Sequence, residues 1–259
     1  MINRHYIFSL ITILLFSVLT KSRGAQIDTI QFNKLENTAN YFLEYEFYNS
    51  LIINHLSKQK DISELLFLSY MNQGLWHTFA FKETTGIPLE ISHFYVDSSN
   101  IICESKNYSD SAFFNKNGRA LIAAQNLFDV VSDTMDIYFN SFVTENNDKT
   151  LSVRFLPAFQ PSGQAIYGCE WEYIFDSTGT RLIETRSIIS KITGVWIGQP
   201  REIWLNYRDK ESIPFGAVYF AIAFRDYFTR LRIDTKYFTS TTQKTENGIY
   251  SWSHRSKTD

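Results

Sequence analysis

Residues 165–189 read AIYGCEWEYIFDSTGTRLIETRSII. Two alternating stretches flank Asp176-Ser177-Thr178-Gly179, and such a turn, closed by glycine, predicts an antiparallel hairpin joining 165–175 to 180–189. This turn pairs 173 with 182, 171 with 184 and 169 with 186. Tyr167, Trp171, Tyr173, Glu184 and Arg186 then share one sheet face. Rings interleaved with a charged pair form a platform for a ligand or partner, because rings supply area and charges orient. The plainer reading is a core-facing aromatic row with Glu184 and Arg186 snorkelling at its rim.

Strand signals continue on both sides. Residues 135–144 and 150–159 flank Glu145-Asn146-Asn147-Asp148-Lys149. Pairing 144 with 150 groups Ile137, Phe139, Ser141 and Val143 with Pro157, Phe155, Val153 and Leu151 on one face, which collects most of the apolar mass. Further strands are expected at 201–208, 215–225, 229–238 and 249–252. The run from Phe215 to Phe224 is almost wholly apolar and reads as a central strand covered on both faces. Upstream, 76–82 and 87–96 flank a four-residue loop, Glu83-Thr84-Thr85-Gly86, and a short strand at 101–106 carries Cys103. Helical spacing marks 36–58, through Tyr41, Tyr45, Tyr48, Ile52 and His55, and 118–132, through Leu121, Ala124, Phe128 and Val131, with Asn115 or Asn117 as cap. Asp61, Glu64 and Gly74 suggest another helix over 62–73. The expected fold is α+β: a large antiparallel β meander with helices packed on one face and a helical N-terminal arm.

Part of this pattern resembles a family of uncharacterised exported bacterial proteins. The residues are Leu156-Pro157-Ala158, then Gly168 with Glu170, Tyr173, Phe175, Asp176 and Gly179, and later Pro200-Arg201-Glu202-Ile203. Gly168-Cys169 stands where that family has two glycines. The resemblance covers about a third of the chain. It implies export and a β meander and carries no activity.

The N-terminus agrees with export. Arg4 and His5 precede an uncharged run from Tyr6 to Thr20, followed by Lys21, Ser22, Arg23, Gly24 and Ala25. A basic start and a short apolar stretch describe a secretory signal, since a bilayer span takes about 20 residues. Cleavage is expected after Ala25, with Thr20 the alternative, giving a signal peptide at 1–25 and one domain at 26–259. The 25 basic residues less Arg4, Lys21 and Arg23 leave 22 against 27 acids, a net charge of −5. That balance argues against nucleic acid and anionic lipid as partners. Hydrophobic residues at 44% and charged residues at 20% place the rest among globular domains. Expected localisation is therefore outside the cytoplasm, in periplasm, envelope or medium, with no stable membrane span once the signal is removed.

Chemistry is sparse. Export permits a disulfide between Cys103 and Cys169, and two free thiols are the alternative. The four histidines of the mature chain, His55, His77, His93 and His254, form no HExxH, and there is no CxxC. The four-residue loop sets His77 opposite residue 92 and on the other face from His93, so no metal site is expected, and only a one-residue slip would bring the two together. Glu170 and Glu172 share a strand face as a paired-carboxylate candidate, beside the plain reading of a solvated edge. No GxSxG, P-loop or activated cysteine is present, and no cofactor is implied.

Three functions remain: a binding or interaction module for a small molecule or an envelope protein, an envelope assembly factor, or a hydrolase without a motif. The first requires an aromatic pocket, the second a long open edge, the third titratable groups converging in a cleft.

Overall fold

The computed structural model describes residues 27–97, 99–105, 111–198 and 201–257. The signal-peptide expectation lies outside these residues, as does Pro200. Helix α1 (Thr29–Ser57) opens on Asp28, whose carboxylate accepts from the amides of Ile30 and Gln31 at 2.9 and 3.1 Å. Its buried stripe includes Phe32, Phe42, Tyr45 and Ile52.

Strands β1 (Leu66–Asn72), β2 (Leu75–Thr84), β3 (Ile87–Val96) and β4 (Ile102–Ser105) form an antiparallel meander. The helix expected over 62–73 is thus largely strand. Asp61 folds back on the Ser63 amide at 2.9 Å as a local turn, and Gln73-Gly74, at φ 50° and 79°, makes a two-residue hairpin turn. A glycine in left-handed conformation serves a hairpin as well as a helix end.

Helix α2 (Ser111–Ser132) begins well before 118. Asn115 and Asn117 lie inside it, and Asn117 donates to the Phe113 carbonyl at 2.8 Å rather than capping. The second sheet holds β5 (Phe139–Glu145), β6 (Leu151–Pro157), β7 (Gln164–Phe175) and β8 (Leu182–Trp196) in that order. Phe139 pairs with Pro157 and Val143 with Val153. This offset of two from the expected register leaves every side chain on its expected face.

The third sheet runs β12-β11-β10-β9, from β9 (Glu202–Tyr207), β10 (Arg230–Thr235), β11 (Phe238–Lys244) and β12 (Tyr250–Ser256). β9 and β10 are parallel, which demands a crossover. That crossover is α3 (Phe215–Phe224), so the expected central strand is a helix. A run buried on all sides has no polar face, and its period is invisible. Pro214 fixes the chain just before the first turn.

The α+β class and N-terminal helix are present, with the antiparallel order divided among three four-stranded sheets. α2 packs on one face of the second sheet through Phe128, stacked on Phe155 at 4.0 Å. α1 and α3 cover the other, where Phe42 stacks on Phe142 at 4.3 Å and meets Phe215 edge-on at 5.3 Å. No described helix is long and apolar enough to cross a membrane.

Candidate binding cleft and open edge

Two bulges redistribute the five residues expected on one face. At the turn, Phe175 pairs with Leu182 but Ile174 with Glu184, leaving Ile183 unpaired. Glu184 and Arg186 therefore stand opposite Ile174 and Glu172, on the other face from Trp171 and Tyr173. Trp171 and Tyr173, each 3% exposed, belong to the core beneath α2. The second bulge lies at Gly168, between the pairs Tyr167–Thr193 and Cys169–Ile189. Gly168 has φ +98° and reverses the alternation. Tyr167 consequently packs on Phe220 at 5.5 Å and donates to the Trp204 carbonyl at 3.2 Å, in the core of α1 and α3. The predicted platform does not exist as one surface.

A Cβ at Gly168 would stand 2.6 Å from the Lys191 carbonyl oxygen. Gly168→Ala is expected to cost about 2 kcal/mol through left-handed strain and this clash. Urea unfolding measures it, and an unchanged midpoint would show that the bulge relaxes freely.

The face carrying Arg186 holds a charged row across three strands. Arg154 donates to Glu172 through Nε and Nη2 at 3.0 and 2.8 Å. Arg186 reaches the other oxygen of Glu172 at 3.4 Å and grips Glu184 with two bonds of 2.7 Å. The Arg154 guanidinium lies 4.5 Å above the Phe215 ring. Arg154, Glu172 and Arg186 floor a cavity of about 300 Å³ walled by Leu35, Ile188, Ser212 and Phe215.

Glu170 lines the same cavity but has another partner. Its carboxylate accepts from the Gly216 amide at the start of α3, where Pro214 makes no side-chain cap bond. A strand residue thus caps the helix in trans. A Cβ on Gly216 would lie 2.6 Å from Glu170 Oε2, so glycine permits the approach. Burial pushes the Glu170 carboxyl up to about 7, against the opposing pull of the Gly216 amide and the Arg154 charge. A paired-carboxylate hydrolase needs both acids facing substrate, whereas one oxygen of Glu170 is turned onto the helix. The row offers fixed donors and acceptors, which is recognition chemistry.

Beside the cavity runs β8, fifteen residues long and paired only with β7. Among the described residues no other backbone bonds to its outer edge. Ile183 and Ile189 are 51% and 48% exposed, and Leu182 and Trp196 are exposed too. Arg186 and Ile188 lie on the cavity side. An added strand would therefore lay alternate side chains over the cleft. Sequence reasoning missed this edge, although Ile183, Ile188, Ile189 and Ile192 exceed what one alternating face can bury.

His77 and His93 share a face, contrary to the sequence-based pairing. The turn is Thr85-Gly86 alone, at φ 53° and 77°, and a bulge between Ala80 and Phe81 shifts the register. His93 pairs with Phe79, and His77 Nδ1 lies 3.1 Å from His93 Nε2. Burial, then the neighbouring His77, holds His93 down to about 4. No group of three metal-ligating side chains occurs among the described residues.

The expected disulfide is not formed. Cys103 sits on β4 and Cys169 on β7, in different sheets, and both are free. Burial first, then Glu170, pushes the Cys169 thiol up to about 12, which makes it a packing group. Compared with known protein families, characterised proteins and solved structures, the chain finds no match.

Proposed function

We propose that the chain is an extracytoplasmic interaction module that receives an extended segment of a protein partner along β8. The observation that carries this reading is the fifteen-residue open edge lying beside the charged cleft. An unpaired strand offers main-chain hydrogen bonds to any extended segment, and a pocket under alternate positions selects among segments. The Arg154–Glu172–Arg186 row supplies that selection. Export rests on the apolar run from Tyr6 to Thr20.

A fluorescein-labelled Thr-Val repeat peptide, followed by anisotropy, tests the edge. The wild-type protein is expected to bind it. Ile183→Lys combined with Ile189→Lys, both at exposed positions, is expected to weaken binding about tenfold or more with unchanged thermal unfolding, because edge lysines block strand addition. Equal binding by both proteins, or none by the wild type, overturns the proposal.

A further inference from the structure

A second site lies along α1, away from the residues that form the cleft. Glu46 leaves α1 between α3 and β5 and accepts a hydrogen bond from Tyr219 Oη at 2.6 Å. Burial, then the Glu46 charge, holds the Tyr219 hydroxyl well above its ordinary range, so it remains the donor. Glu46 has no ion-pair partner among the described residues.

Two hollows meet at Glu46 and Ser50. One, of about 210 Å³, is mixed in character: Tyr45, Asn49, Asn140 and Ser141 line it together with Leu65 and Phe67. The other, of about 290 Å³, is apolar and is lined by Leu43, Phe47, Phe159 and Phe224. Neither lining contains lysine, arginine or histidine.

Tyr45 also lines the first hollow. It is 1% exposed, and its hydroxyl lies near the Ser69 and Val143 amides without a hydrogen bond of proper geometry. That hydroxyl is sealed from solvent and offers nothing to an occupant of the hollow. At the mouth of the apolar hollow, Phe47 and Phe159 are 51% and 44% exposed.

We propose that this groove binds an organic ammonium ion with an apolar tail, its N–H groups on Glu46 and its tail against Phe47 and Phe159. An anion would face a carboxylate that no cation offsets. A neutral apolar molecule would strip water from Glu46 and return no hydrogen bond. A metal ion would find one carboxylate and no ligand cluster among the described residues. An ammonium ion satisfies the acid and gains from aromatic faces near its charge.

The test is calorimetric titration of the full mature chain with 2-phenylethylammonium chloride and with 2-phenylethanol, which keeps the ring and lacks the charge. The ammonium ion is expected to bind at least about tenfold more tightly than the alcohol. Glu46→Gln, whose amide oxygen still accepts from Tyr219, is expected to remove that preference with little change in thermal unfolding. Phe159→Ala is expected to weaken both ligands. No binding of the ammonium ion at millimolar concentration, equal affinity for the alcohol, or a preference that survives Glu46→Gln overturns the proposal. The comparison of two ligands on the wild-type chain decides the matter even if a variant fails to fold.

Discussion

Trp171→Ala is expected to lower stability by about 3–5 kcal/mol, the range for truncating a buried aromatic ring. Trp171 is 3% exposed. Its ring meets Phe128 of α2 at 5.3 Å and Phe139 of β5 at 5.7 Å, both edge-on. Phe128 in turn stacks on Phe155, so removing the indole opens a void where helix and sheet touch. A domain of this kind holds about 5–15 kcal/mol in total, so the variant is left near its unfolding threshold. Urea unfolding followed by circular dichroism measures the loss, with the slope checked so that a change in the denatured state is not mistaken for it. A loss under about 1 kcal/mol would mean that Trp171 is not a core residue, and an aromatic binding face would again need to be considered. The contrast is internal to the protein: exposed Ile189 on the next strand is expected to tolerate lysine with little loss.

Alternation along 165–175 correctly announced a strand, yet it misplaced the chemistry on it. Period-two reasoning assumes an unbroken ladder, and one extra residue reverses every side chain beyond it. Ile183 does this on β8, whereas at Gly168 the left-handed backbone turns the β7 side chains over where one residue of β7 faces residues 190–192 of β8. Glycine in a strand is itself a bulge signal, so Gly168 was the legible clue. Ile183 offered none, because its side chain resembles its neighbours. The β5–β6 hairpin survived a similar misreading because its slip was two residues, which preserves faces.

Elsewhere the failures have a common cause: local sequence does not carry tertiary cover. Phe215–Phe224 is apolar on every side because α1 and β7 enclose it, and such a run has no period to read. The His77–His93 contact depends on the bulge between Ala80 and Phe81 on β2 itself, which reverses the faces beyond it, whereas the two-residue turn shifts the register by two and leaves the faces unchanged. Glu170 and Glu172 were visible as neighbouring acids. Their different duties, one capping α3 and the other linking two arginines, are set by elements distant in sequence. The Glu46 groove draws on α1, α3 and β5 together.

Glu170 also makes stability depend on pH in a direction that can be worked out in advance. Its ordinary value is 4.5, and in the fold it is raised to about 7. The folded chain therefore holds the proton more tightly than the unfolded chain. The stabilisation is fully present below about 4.5 and is lost as pH rises through about 7. For so buried a group the loss is on the order of 3 kcal/mol. His93 opposes it: lowered from 6.5 to about 4, it contributes stability above 6.5 that disappears as pH falls toward 4. A simple pH profile of the wild type mixes the two. Glu170→Gln separates them, because its amide oxygen still accepts from Gly216 and it cannot ionise, while His93 is common to both proteins and cancels. The variant and the wild type are expected to differ by about 1 kcal/mol or less near pH 5, with the variant gaining about 3 kcal/mol relative to the wild type by pH 8. Urea midpoints at both pH values decide it, and parallel profiles would mean that Glu170 ionises in the fold at no cost. The capped turn of α3 carries Phe215, the ring beneath the Arg154 guanidinium. Ionisation of Glu170 strengthens its hold on the Gly216 amide and its attraction to Arg154 but leaves a charge buried, and burial is the larger effect, so the fold is weakened although the cap itself is not.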